Sequence, residues 1–200
     1  MMSVRIFEPT PRMIAAHDDR PVYTIDADDR IVHVNEAWLM FNAVEGVANE
    51  VCDYVGRPVW ELLGEGRVRQ LWQVLHRRVR AIGASVFVPM RVDTPDERRL
   101  LDVELRPLVD RSIQHICECA WTEARAPVAL LDPARPRDGR EVLCCAWCRR
   151  VQVGVGLWQE VEEAQRSLAI KSVDALPTLR PGACVTCQQA LLQTFPARVA

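Results

Sequence analysis

Short apolar runs separated by turn-forming clusters dominate the first half of the chain. Val22 to Ile25 and Ile31 to Val34 flank Asp26-Ala27-Asp28-Asp29 and predict a β-hairpin. Asn35 then predicts the cap of a short helix carrying Trp38, Leu39 and Phe41, because its side chain can accept from the free amides of a first turn. Gly56-Arg57-Pro58 marks a break, and Pro58 fits the first turn of a second short helix with Val59, Trp60, Leu62 and Leu63. Val68, Leu71, Trp72, Leu75, Val79 and Ile82 recur every three or four residues, which predicts one long amphipathic helix ending at Gly83. Its opposite side carries Arg67, Arg69, Arg77, Arg78 and Arg80, expected to be a wet face. His76 lies at the flank of the stripe and is expected to be solvated.

Three strand-like runs follow, Ser85 to Val92, Leu100 to Leu108 and Ile113 to Trp121. In the second, Leu101, Val103 and Leu105 alternate with Asp102, Glu104 and Arg106, so one face is buried. Two strands, short helices, a long helix and three strands make an α+β domain with a five-stranded antiparallel sheet and helices on one face. Trp38, Trp60, Trp72 and Trp121 are expected in its core or pocket. The leader, 1–20, is proline- and acid-rich from Glu8 onward. The domain itself spans 21–126, a proline- and charge-rich linker 127–140, and a small module 141–200.

Composition changes this picture little. With 49% hydrophobic and 26% charged residues the 200-residue chain has enough apolar material for a packed core. The net charge of −2 provides no overall field for nucleic acid or anionic lipid. The start lacks the apolar run of a secretion signal, and no stretch is as apolar as a membrane span. The expectation is a soluble, cytoplasmic protein whose eight cysteines are thiols and metal ligands rather than disulfides.

The cysteines carry the sharpest chemistry. Cys145-Ala-Trp-Cys148 and Cys184-Val-Thr-Cys187 are two CxxC pairs, each able to turn both thiolates toward one ion. Four thiolates suit structural zinc and leave no open position for catalysis. The alternatives are a redox pair or plain buried thiols, which two pairs in one module disfavour. Cys144 is a spare or an alternative ligand. Thirty-five residues separate Cys148 from Cys184, and Leu157, Trp158, Val161 and Ala164 predict a helix inside that gap. Too few large apolar side chains lie in 141–200 for a secure core, so metal would supply the missing stability. His115, Cys117 and Cys119 alternate along the last strand of the first domain and are read as lining a core or pocket wall, with a second metal site as the lesser alternative.

Two resemblances follow from these residues. Residues 21–121 resemble a PAS domain, through Ile31-Val32-His33-Val34-Asn35-Glu36-Ala37-Trp38 and Gly56-Arg57-Pro58-Val59-Trp60-Glu61-Leu62. Residues 143–190 resemble a cysteine module that follows PAS domains in bacterial sensor proteins, through the Cys145 knuckle, Trp158 with Glu162, and Gly182-Ala183-Cys184-Val185-Thr186-Cys187. The histidine that precedes the glycine in that family is Pro181 here. The resemblance implies a signalling protein that binds a small ligand or docks a protein partner, with a ligand pocket drawn from Trp38, Trp60, Trp72, His115, Cys117 and Cys119. Flavin photochemistry is disfavoured, since Pro58-Val59-Trp60 stands where its cysteine would be. His76 on the long helix leaves a haem- or metal-linked redox sensor as an alternative.

No phosphate loop, nucleophile elbow or kinase catalytic module is present, so no enzymatic activity is expected. A zinc-dependent nucleic-acid-binding regulator is the other alternative, weakened by the nearly balanced charge of the cysteine module. Met13, Ile14 and Ala15 are read, by analogy with PAS proteins, as a short helix for a homodimer.

Overall fold

A computed structural model describes residues 5–7, 19–44, 50–168, 170 and 176–193. The proposed dimer helix at Met13 to Ala15 lies outside them. The elements, in order, are β1 (Arg5–Phe7), β2 (Val22–Ile25), β3 (Ile31–Val34), α1 (Glu36–Val44), α2 (Trp60–Leu63), α3 (Gly66–Ile82), β4 (Ser85–Arg91), β5 (Glu97–Pro107) and β6 (Ile113–Ala124). They are followed by β7 (Arg137–Cys145), β8 (Val151–Gly154), β9 (Leu157–Gln159), α4 (Val161–Ser167), β10 (Leu176–Gly182) and α5 (Val185–Gln193). Among the described residues, no helix is long and apolar enough to cross a membrane.

The first sheet has the order β1-β4-β5-β6-β2-β3, with every pair antiparallel. Five of its strands are those expected from the sequence. Arg5–Phe7, within the leader, adds a sixth at the edge. The local signals act as anticipated. Asp26 Oδ1 accepts from the amides of Asp28 and Arg30 at 2.9 Å each, closing the hairpin turn. Asn35 Oδ1 caps α1 through the Trp38 amide at 2.8 Å and also accepts from Val22 N at 2.9 Å, fastening the helix start to β2. α3 ends at Gly83, whose φ of 65° and whose amide N–H, donating a hydrogen bond to the Val79 carbonyl, form a left-handed cap.

Val68, Leu71, Trp72, Leu75 and Val79 of α3 are all buried against Val86, Val88, Leu101, Val103, Leu105 and Ile113 of the sheet. His76 departs from expectation. Its side chain is fully buried, because Asp29, at φ 61° in the hairpin turn, brings a carboxylate to 3.1 Å from Nδ1. Trp121 and Cys119 also depart: both are exposed, Trp121 by 46%. A register shift between Leu100 and Leu101 falls opposite them, and every residue of β6 from Glu118 on is exposed, so there is no core left for either to face.

The second sheet has the order β10-β7-β8-β9. Leu157 and Trp158, expected in a helix, belong to β9, and α4 begins only at Val161. The segment read as a linker contains buried Val128 and Leu130, which pack with Val151, Val161, Ala164 and Leu176 in a small second core. Asp93, its carboxylate fully buried, pairs with Arg91 and Arg125, while Arg91 reaches Glu160 at 2.7 Å and Arg125 reaches Glu162 at 3.0 Å. This network binds α4 to the first sheet.

Candidate metal centre

β7 and β10 are parallel, and their register sets Gly182 beside Cys145. Parallel neighbours need a long crossover, here β8, β9 and α4, which accounts for the wide gap between the two CxxC pairs. At the end of β7 the chain turns sharply: the Cys145 amide donates to the Arg150 carbonyl at 2.7 Å, and the Arg149 amide donates to the Cys145 carbonyl at 3.0 Å. Arg149 takes φ 62°, so Cys148 folds back toward Cys145. The Ala146 amide donates to the Gly182 carbonyl at 2.9 Å, joining the two pairs. A Cβ at Gly182 would stand 3.1 Å from Leu143 Cβ and 3.3 Å from the Trp158 ring, so glycine permits this approach.

Cys184 stands immediately before α5. Its sulfur accepts from the Cys187 amide at 3.4 Å and its carbonyl from the Gln188 amide at 3.0 Å, the geometry of a helix cap. A thiolate there is favoured by the helix dipole.

The four sulfurs of Cys145, Cys148, Cys184 and Cys187 all lie within 4.8 Å of one another. Cys148 and Cys184 are 3.7 Å apart. A tetrahedral ion with metal–sulfur bonds of about 2.3 Å has sulfur–sulfur edges of about 3.8 Å, so the cluster fits a metal ion. The four thiols also share charge. Cys145 is pulled far down by hydrogen bonds from Cys148, then Cys184 and Cys187, while Cys148 and Cys187 are driven up, first by hydrogen bonding to Cys145. Cys145 and Cys184 are lowered while Cys148 and Cys187 are raised, so the acidity belongs to the four thiols together, and a metal would displace their protons.

Cys144 is separate. It is buried with the second core, and its thiol donates to the Arg149 carbonyl at 3.6 Å. Burial raises its pKa.

Trp147, within the first knuckle, carries a role that the sequence did not single out. It is fully buried, and its ring centroid lies 5.8 Å from that of Trp72 on α3. Its carbonyl accepts from the Arg91 amide at 2.8 Å. Trp147, Cys145, Cys184, Cys187 and Leu191 therefore belong to the same core as the first sheet. Two arginines of the expected wet face hold α5 in place: Arg67 Nε donates to Gln188 at 2.8 Å and Arg78 to the Leu192 carbonyl at 2.9 Å.

The residues assigned to a ligand pocket have a different arrangement. Trp38, Trp60, Trp72, His115 and Cys117 are buried and Cys119 is not. Tyr23 Oη lies 2.8 Å from His115 Nδ1, and the His115 and His76 rings meet edge to face at 5.1 Å. Burial lowers both imidazoles, His115 strongly, with Asp29 partly restoring His76; burial also pushes the Cys117 thiol up to about 12. Among the described residues, the four-cysteine group alone brings three or more potential ligand atoms together, so His115, Cys117 and Cys119 do not form a second metal site.

No protein-family model matches the chain, and no curated protein matches it significantly. A solved structure to which it is similar is the crystal structure of a sensory box sensor histidine kinase from Vibrio cholerae, at 20% identity and a TM-score of 0.31, over 54% of this chain and 82% of that one. A likeness so slight carries no functional weight. What the residues themselves establish is an α+β sheet domain joined to a four-cysteine cluster able to hold a metal ion.

Proposed function

We propose that this chain is a non-enzymatic cytoplasmic signalling protein, in which a PAS-like domain senses a small ligand or docks a protein partner and a structural zinc holds the C-terminal module. The observation that carries the metal half is the mutual approach of four sulfurs within 4.8 Å, built by a parallel strand register and a helix cap. Four thiolates are the donor set that zinc prefers, and with every position filled by protein there is no place for a reacting water. Trp147 and the Asp93 network support the signalling half, since Trp147 packs on Trp72 and Arg91 and Arg125 reach Glu160 and Glu162, which places the module in direct contact with the sheet. A nucleic-acid role is disfavoured by the contacts of Arg67 and Arg78 with α5.

Elemental analysis and absorption spectroscopy of protein purified from defined medium test this reading. About one zinc per chain and no visible chromophore is the expected result. A cluster free of zinc under reducing conditions, or a haem or flavin band, overturns it.

A further inference from the structure

The four ligand sulfurs do not share one environment. Cys145, Cys184 and Cys187 are buried, and Cys148 alone of the four is partly exposed, at the corner of the knuckle that Arg149 turns with its φ of 62°. Main-chain amides serve two of the buried sulfurs: the Cys184 amide donates to Cys145 Sγ at 3.5 Å and the Cys187 amide to Cys184 Sγ at 3.4 Å. Cys148 Sγ receives no such bond among the described residues, and Cys184 Sγ stands 3.7 Å from it.

An amide that donates to a thiolate stabilises its charge and so makes it a poorer nucleophile. Exposure decides whether an electrophile reaches the sulfur at all. Both conditions select Cys148, each on its own ground. A second sulfur within 4 Å adds the means of resolving an oxidised cysteine as a disulfide, which keeps the reaction reversible.

We propose that Cys148 is an oxidant-sensing thiolate: hydrogen peroxide oxidises it, Cys184 resolves it as a disulfide, and the module releases its metal. This role deepens the signalling reading above and rests on its metal half. Cys148 Sγ attacks one oxygen of the peroxide, the O–O bond breaks, and a sulfenic acid and a hydroxide result. Cys184 Sγ then attacks the sulfenic sulfur, forming the S–S bond and expelling a second hydroxide. The two thiolates give up two electrons, the peroxide takes them, and two protons from solvent convert both hydroxides to water. Only Cys145 and Cys187 then remain as thiolates, too few for a closed four-sulfur site. The disulfide joins the first knuckle to the start of α5, so the oxidant exchanges a metal link between the two CxxC pairs for a covalent one.

Full-length protein, reduced and with its zinc content measured, is treated with hydrogen peroxide; released zinc is followed with a chromogenic chelator, and the cysteines are then alkylated and mapped by mass spectrometry. Loss of about one zinc per chain together with a Cys148–Cys184 disulfide is expected, both reversed by dithiothreitol and added zinc. Exposed Cys52 and Cys119, outside the cluster, are the comparison within the same chain. Zinc retained while those two are oxidised overturns the proposal, as does Cys148 recovered as a free thiol from peroxide-treated, zinc-free protein; a disulfide from Cys148 to Cys145 or Cys187 overturns the role of Cys184. The variant Cys148→His keeps four ligands of kinds that zinc accepts and removes the reactive sulfur. It should release zinc to peroxide at least about tenfold more slowly, and an unchanged rate overturns the assignment. The mapping uses the unaltered chain and stands even if that variant fails to fold. The two readings fail separately: protein without zinc at the start breaks the metal reading, and a cluster in which Cys148 is not the first sulfur oxidised breaks the role of Cys148 whether or not zinc is bound.

Discussion

In the first domain one face of the sheet and one stripe of α3 bury Ile25, Leu75, Leu105 and Ile113 completely, and Trp72 fills the space between them. The C-terminal module has a much smaller core of its own, in which Val128, Val151, Val161 and Ala164 are the modest side chains around Leu130 and Leu176. Outside that core the module is held by Trp147 inserted against Trp72, and its four sulfurs are placed so that a metal could add to this. A long amphipathic stripe can close on a sheet by the hydrophobic effect alone. A segment of about sixty residues with few large side chains needs a metal, a neighbour, or both.

The strongest way to break this contrast is to remove a ligand. Cys148→Ser should abolish metal binding and melt the module, a local loss on the order of 10 kcal/mol, while strands β2 to β6 keep their amide protection in hydrogen-exchange measurements. Equal loss of protection in both regions would show that they form one cooperative unit. Trp147→Ala leaves the four thiols intact but removes the shared aromatic contact, and should cost about 3 to 5 kcal/mol in chemical denaturation with metal still bound.

A smaller effect is expected from acid. Burial holds the pKa values of His76 and His115 below their ordinary value of 6.5, so the unfolded chain binds more protons than the folded one as pH falls. Asp29, lowered despite its own burial by His76 and Arg80, acts with the same sign at lower pH. The histidine contribution is complete above pH 6.5 and is lost progressively below it. Thermal melting of the first domain should therefore fall between pH 7.5 and 5, with a shallower fall in His115→Phe. The smallest effect should come from Arg67→Ala, which removes an exposed hydrogen bond to Gln188 and should cost less than about 1 kcal/mol by denaturant titration.

Where the structure departs from the local sequence pattern, the physical reasons differ by residue. The periodicity of α3 placed His76 at the edge of the stripe, but the position of Asp29 across the hairpin decided that it is buried. Trp121 looked like core because it is large and lies on an apolar strand. β6 runs on past the end of β2 while still paired with β5, and from Glu118 onward its side chains are exposed, so Trp121 lies beyond the core. Leu157 and Trp158 fit helical spacing, yet a turn at Gly156, φ 71°, pairs them with β8 instead. Trp147 gave no signal beyond its place inside a knuckle.

The chain alone determined what depends on nearest neighbours: the hairpin turn, the Asn35 cap, the stripe of α3, the alternation of β5 and the two sulfur pairs. These follow from propensity and spacing over a few residues, and no distant group has to agree. Tertiary structure decided which side chains share an environment. The parallel register of β7 with β10 brings the sulfur pairs together, and the Asp93 network and Trp147 bind the module to the sheet. Such contacts join residues far apart along the chain, so their presence is set by packing of the whole molecule rather than by any local pattern.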